Sequence, residues 1–267
     1  QGGVTEIFST IRAFAALKED GSVVTWGDSN LGGDSRPVSE KLQGGVTEIF
    51  SNYGAFAALK EDGSVITWGN SGDGGDSRPV SEKLQVSLQL QGGVTEIFST
   101  STAFAALKED GSVVTWGNSE DGGDSREVSS QLQGGVTEIF STSTAFAALK
   151  EDGSVVTWGN SEDGGDSREV SSQLQGGVTE IFSTSTAFAA LKEDGSVVTW
   201  GHPERGGDSR KVSSQLQGGV ITLASPFLKR EENGEMKTRK KSAQNPNPSE
   251  EIPQELAQDE FMVDLWE

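Results

Sequence analysis

Residues 92–133 read GGVTEIFSTSTAFAALKEDGSVVTWGNSEDGGDSREVSSQLQ, and residues 134–175 repeat them letter for letter. Close variants of the same text begin at Gly2, Gly44 and Gly176, and another start stands at Gly218. The chain therefore divides into five units, 2–43, 44–91, 92–133, 134–175 and 176–217, followed by a partial copy at 218–225. The second unit is longer than the others by Val86-Ser87-Leu88-Gln89-Leu90-Gln91, a stuttered copy of neighbouring Leu-Gln text. A period of this length marks one supersecondary unit that buries its apolar faces only against its neighbours. Identity between copies points to recent duplication, so sameness alone is not a sign of function.

Within the unit, Val94-Thr95-Glu96-Ile97-Phe98 is β-branched and aromatic and reads as a strand, as does Ser112-Val113-Val114-Thr115-Trp116. The segment Ala103–Leu107 favours helix by propensity, yet it is too short to stand as an isolated helix. Asp110-Gly111 ahead of a strong strand is instead a hairpin signal, because glycine accepts the positive φ of a tight turn. We read Ala103–Leu107 and Ser112–Trp116 as an antiparallel hairpin, Asn118–Ser125 as a loop, and Arg126–Leu132 as a weak fourth element. In the middle strand Ala103, Ala105 and Leu107 face one side and Phe104 and Ala106 the other, so both faces require cover. Three- or four-stranded sheets of this length, covered on both faces by copies of themselves, predict an all-β propeller. The tryptophans at 26, 68, 116, 158 and 200 are expected in the core between blades.

The text AFAALKEDGSVVTWG with its following Gly loop resembles the regulator-of-chromosome-condensation repeat. Ala106, Leu107, Asp110, Gly111, Val113, Trp116, Gly117 and Gly122 match that pattern, and the likeness recurs over residues 2–217. Ala103 stands where the family has His, and Gly123-Asp124-Ser125 replaces Gln-Leu-Gly. The short blade is also similar to that of propeller-type beta-lactamase inhibitor proteins. The resemblance implies a ring of about seven blades. Five units leave three arrangements: a ring closing with five, a ring lacking two blades, or an open arc. The partial copy from Gly218 is a candidate closing strand.

Composition bounds the chemistry. With 41 acidic and 21 basic side chains the chain carries a formal charge of −20, which repels nucleic acid and anionic lipid. There is no cysteine, so disulfides and thiolate metal sites are excluded. No apolar run approaches a membrane span. The Glu-Asp-Gly acids recur in every hairpin turn and read as turn formers rather than as a shielded general acid. The loop Asn118–Asp124 lacks the spacing and closing Glu of a calcium loop, and the single histidine, His202, sits beside Pro203 in a loop. The expectation is a non-enzyme without metal or cofactor. The chain begins at Gln1 without Met or a basic-plus-apolar leader, which suggests a fragment or processed product.

Two loops vary between units: the one after the first strand and the one after Trp-Gly. A propeller presents such loops on its rims, where scaffolds carry recognition residues. Ile11, Arg12, Leu31, Tyr53, His202 and Arg205 are the candidate partner-binding residues, Tyr and Arg being enriched at interface hot spots. The predicted role is a protein-interaction scaffold for a partner with a basic surface, with the oligomeric state left open. The resemblance adds two alternatives: a guanine-nucleotide exchange or ubiquitin-ligase-associated propeller, and an inhibitor of a secreted hydrolase. From 226 to 267 the composition shifts to a charged, Pro/Asn/Ser-rich tail expected to be mostly disordered. Lys237–Lys241 reads as a solvated charge run or a nuclear-import cluster, within an intracellular setting. Leu256, Phe261, Leu265 and Trp266 form an acidic-amphipathic segment that folds either onto a partner or onto the propeller.

Overall fold

The computed structural model describes residues 3–76 and 90–221. Each unit contributes three strands, paired antiparallel in chain order into a sheet of its own. Unit 1 holds β1 (Val4–Ser9), β2 (Ala13–Lys18) and β3 (Val23–Gly27). Unit 2 holds β4 (Val46–Ser51), β5 (Ala55–Lys60) and β6 (Val65–Gly69). Unit 3 holds β7 (Val94–Ser99), β8 (Ala103–Lys108) and β9 (Val113–Gly117). Unit 4 holds β10 (Val136–Ser141), β11 (Ala145–Lys150) and β12 (Val155–Gly159). Unit 5 holds β13 (Val178–Ser183), β14 (Ala187–Lys192) and β15 (Val197–Gly201). Five such sheets stacked in sequence are the blades of a short-blade β-propeller.

The Ala-rich segment is a strand because its turn and its neighbours enforce one. Gly111 adopts φ 72° and donates to the Lys108 carbonyl at 2.9 Å. The Asp110 carboxylate accepts from the Ser112 amide at 2.9 Å and from its hydroxyl at 2.5 Å, which locks the turn. Beyond it the register sets Phe104 opposite Trp116, and the two rings stack with centroids 5.3 Å apart. The expected fourth element is not a strand. Arg126–Gln131 winds into a 3-10 turn, because its Ser- and Gln-rich text has little β-preference. It still serves the sheet: the Leu132 carbonyl accepts the Val113 amide at 2.9 Å, and the Leu132 side chain is buried against the next unit. In unit 2 Leu90 fills that place, so the extra residues precede it.

The sheets meet face to face. Phe98, Ala103, Ala105, Leu107 and Leu132 of unit 3 pack on Val136, Ile139, Phe146, Val156 and Trp158 of unit 4. The alanines are fully buried, and their small side chains let the two sheets approach closely. At the centre of each contact the Phe–Trp pair of one unit sits on a glycine of the unit before it. The Trp68, Trp116, Trp158 and Trp200 indoles donate to the Gly32, Gly74, Gly122 and Gly164 carbonyls at 3.0–3.1 Å. A Cβ on Gly122 would lie 2.5 Å from the Phe146 ring.

Four apolar clusters fill the four gaps between consecutive sheets. The three inner sheets are covered on both faces, and among the described residues the two end sheets are covered on one. Trp26 is 44% exposed whereas the other four repeat tryptophans are 3–5% exposed, and Phe14, Val24, Val4 and Ile7 lie open beside it. Trp26, expected in the core with the other four, is exposed among the described residues because none of them packs on that face of unit 1. Among the described residues no apolar cluster joins unit 5 to unit 1. The partial copy begins as the other units do, with the Val220 amide on the Gly195 carbonyl at 3.1 Å, and the remainder of that closing strand lies outside the described residues.

Two measurements test this account. Gly122 and Gly206 both adopt positive φ, 97° and 109°, but only Gly122 has a neighbouring ring above it. Gly122→Ala should cost about 1–3 kcal/mol more than Gly206→Ala, the extra being overpacking rather than backbone strain. Urea denaturation of both variants reads the difference, and equal midpoints would remove the glycine seat from the argument. The second concerns acid. The turn carboxylates Asp20, Asp62, Asp110, Asp152 and Asp194 titrate below the ordinary range, first because the following Ser hydroxyl donates to them and then because its amide does. Asp34 and Asp208 are pulled down to about 2, foremost by hydrogen bonds from Arg36 and Arg210. Depressed carboxylates stabilise the fold fully above their unfolded values near ~4 and lose that contribution as pH falls toward the folded ones. The thermal midpoint should drop between pH about 4 and about 2. A variant with Asn at the five turns should drop less over that window.

Candidate interaction rim

Three antiparallel strands place the end of the first and the end of the third at the same edge of the sheet. Both variable loops consequently lie on a single rim rather than on two, and hydrogen bonds join them in every unit. The Thr10 hydroxyl donates to the Leu31 carbonyl at 3.0 Å, and the Asn52 amide to the Asp73 carbonyl at 2.7 Å. Thr100 donates to Asp121 at 3.0 Å, Thr142 to Asp163 at 3.2 Å and Thr184 to Arg205 at 3.3 Å, in each case to the carbonyl. The Glu-Asp-Gly turns lie at the opposite edge.

Along this rim a backbone row runs from unit to unit. The Ile11 amide donates to the Tyr53 carbonyl at 3.1 Å, Tyr53 to Ser101 at 2.9 Å, Ser101 to Ser143 at 2.8 Å and Ser143 to Ser185 at 2.8 Å. The row brings Ile11, Arg12 and Tyr53 together, and Leu31 lies against Gly54 beside them. Ile11 and Arg12 are exposed, and Tyr53 and Leu31 are half-buried. His202 and Arg205 belong to unit 5, so the candidate set splits into two patches at the two ends of the row. The C-terminal candidates Leu256, Phe261, Leu265 and Trp266, and the Lys237–Lys241 cluster, lie outside the described residues.

Facing positions of the two loops form a pair in each unit. Arg12 goes with Leu31, Gly54 with Asp73, Thr102 with Asp121, Thr144 with Asp163, and Thr186 with Arg205. In units 3 and 4 the pair is a direct contact: the Thr102 hydroxyl donates to the Asp121 carboxylate at 2.5 Å and Thr144 to Asp163 at 2.7 Å. Where Arg205 replaces the acid, the Thr186 hydroxyl is left buried without a partner. The His202 Nδ1 is likewise buried and unpaired, since this residue stands where Asn118 and Asn160 cap the loop by accepting an amide. In unit 2 the glycine at 54 makes room for the Asp73 carboxylate, which a Cβ there would strike. Burial pushes the Asp73 carboxyl up, and the neighbouring Asp121 charge adds to the shift.

Sequence reasoning placed Asp73, Asp121 and Asp163 in the variable loops but did not single them out as candidate residues. The signal available was the change in units 1 and 2 of both members of a pair of positions nineteen residues apart, at matching places in each unit. With Glu120 and Glu162 exposed on the same loops, the middle of the rim is acidic and its two ends carry Arg12 and Arg205. Among the described residues no three His, Asp or Glu side chains converge to hold a metal ion. Grooves of about 990 and 600 Å³ lie between the 3-10 turn of one unit and the outer strand of the next, and they recur with the repeat. They are a consequence of stacking rather than a distinct site.

No protein-family model and no curated protein matches the chain. Among solved structures it is similar to yeast RCC1 (Prp20) bound to Kap60, with 17% identity over 76% of this chain and 57% of that chain and a TM-score of 0.48. A second structure, of Prp20p from Saccharomyces cerevisiae, shares 18% identity over 74% of this chain and 58% of that chain, with a TM-score of 0.45. Human WBSCR16 shares 19% identity over 75% of this chain and 62% of that chain, with a TM-score of 0.43. The chain spans less than two thirds of the length of each.

Proposed function

We propose that the chain is a non-enzymatic interaction propeller whose single rim of paired loops binds a protein with a basic surface. The observation that supports this reading is the change of both loops from unit to unit, on a rim that the backbone row ties into one continuous surface. Strands that must pack keep their text, while the loops that face outward change it, which is how a rigid scaffold presents recognition residues. The chemistry of the rim supports a partner with a basic surface. Asp73, Asp121 and Asp163 with Glu120 and Glu162 supply negative potential, and Tyr53 with Ile11 supplies an amphipathic anchor at one end. Charge of this kind contributes mainly to association rate and to choice of partner, and the aromatic anchor to residence time.

The test is affinity capture with the full chain, followed by binding measurements on what is captured. A Tyr53→Ala, Arg12→Ala double variant should weaken binding by about 30-fold or more if Tyr53 is a hot spot. Asp121→Asn with Asp163→Asn should chiefly slow association, and raising salt until the screening length falls to about 8 Å and below should do the same. A partner that binds all variants equally, or one whose association is indifferent to salt, would place recognition elsewhere. Accelerated nucleotide release from a small GTPase, or inhibition of a hydrolase, unaffected by these substitutions would replace this reading with one of those activities.

A further inference from the structure

We propose that the unit 5 end of the rim is a carboxylate-binding site, formed by the Thr186 hydroxyl and the Arg205 guanidinium, which receives an acidic side chain of the protein bound along the rim. This rests on the rim as the binding surface and adds the chemistry that one end of it selects. Units 3 and 4 carry the same site with its carboxylate supplied from within the chain. There the Thr102 and Thr144 hydroxyls donate to the Asp121 and Asp163 carboxylates at 2.5 and 2.7 Å.

Unit 5 keeps the frame of that pair. The His202 amide donates to the Thr186 carbonyl at 2.9 Å, as Asn118 does to Thr102 at 3.0 Å and Asn160 to Thr144 at 2.9 Å. The Thr184 hydroxyl donates to the Arg205 carbonyl at 3.3 Å, as Thr142 does to Asp163 at 3.2 Å. What changes is the side chain opposite the hydroxyl. Arg205 stands in place of the acid, and a guanidinium, having only donors, cannot accept from Thr186. The hydroxyl is left unpaired in a residue only 7% exposed, and the buried Nδ1 of His202 in the facing loop is unpaired as well. The pair lies within one unit, so the missing acceptor follows from the residue at 205 and not from what stands beside unit 5.

Buried polar groups are rarely left unpaired, and one that is calls for a partner from outside. The group that satisfies both sides is a carboxylate. It accepts from the hydroxyl, as Asp121 does in unit 3, and it pairs with the guanidinium, whose forked donors match its two oxygens. Arg205 is exposed and has no ion pair among the described residues, so its side chain is free to turn outward and admit the carboxylate to Thr186. The charge nearby has changed in the same direction: Lys211 stands where units 3 and 4 have Glu127 and Glu169. An exposed ion pair and one hydroxyl hold a free acid only weakly. An Asp or Glu side chain of a protein already held along the rim meets them at a high effective concentration. A partner that offers bases to the acidic middle and an acid to this end is thereby fixed in one direction along the row.

NMR of the full isotope-labelled chain, titrated into the millimolar range with a capped Gly-Asp-Gly peptide, tests the site without any partner. The Thr186 amide and the Arg205 Nε–H should shift, and the capped Gly-Asn-Gly peptide should leave both in place. Arg205→Asp rebuilds within the chain the pair that units 3 and 4 possess. It should raise the thermal midpoint by about 2 °C while weakening the Asp peptide about tenfold or more. Thr186→Val removes an unpaired hydroxyl, so it should weaken the peptide without lowering the midpoint, whereas Thr102→Val strands Asp121 and should lower it. No shift with the Asp peptide, equal shifts with both peptides, or undiminished binding to Arg205→Asp overturns the site. A captured partner gives the second readout, and Arg205→Asp should weaken it as well. A partner lost with the Tyr53→Ala, Arg12→Ala double variant but indifferent to Arg205→Asp keeps the rim as the binding surface and overturns the side-chain assignment. Failure of the rim itself looks different: the partner ignores every rim variant while the peptide titration still behaves as expected, which keeps the carboxylate site.

Discussion

A stacked Phe–Trp pair resting on the glycine of the preceding unit is the contact on which the structure depends. It combines three requirements in one place. The glycine takes a positive φ that turns the chain, its lack of a side chain lets the ring approach, and its carbonyl accepts the indole proton. A substituted glycine loses the close approach, and an indole without its acceptor leaves a polar group buried at a cost of about 1–3 kcal/mol. The alanine row follows from the same geometry, since sheets drawn together by this seat have no room for larger side chains.

The consequence is a protein whose stability resides between units rather than within them. A single sheet exposes two apolar faces, so each unit is stabilised by its neighbours and the chain behaves as a linear array of interfaces. Burial along the chain reports this directly. Phe56, Phe104, Phe146 and Phe188 are at most 1% exposed, whereas Phe14, with the same local text, is 45% exposed. Local sequence sets the hairpin and the ring stack; position in the array sets whether they are dry.

That distinction explains what could be read in advance. The Asp-Gly turn, the alternation of alanines and the fixed spacing of Trp are local signals, and they placed all three strands of each unit within a residue or so. Trp26 could not be separated from its four counterparts, because burial depends on a neighbouring unit that local text does not encode. The 3-10 turn at Arg126–Gln131 was ambiguous for the opposite reason: it contributes one backbone bond and one buried leucine, too little to impose a strand period. Placement of the variable loops on one rim was derivable from strand parity alone, and the paired residues within them were visible only once their contacts were known. The tail candidates lie outside the described residues.

The rim and the interfaces use different atoms of the same loops. The inter-unit row is made by backbone amides and carbonyls at Ile11, Tyr53, Ser101, Ser143 and Ser185, which any residue type supplies. Side chains at those positions are consequently released to vary without disturbing the stack. The flanking pairs are less free, because Thr102 with Asp121 and Thr144 with Asp163 are closed hydrogen bonds. Changing one member leaves the other unsatisfied, as Thr186 opposite Arg205 demonstrates. A duplicated unit can therefore acquire a new surface cheaply at the row, whereas an unmatched change beside it gives up a hydrogen bond, as in unit 5. The row thus tolerates loop changes while the strands remain nearly identical.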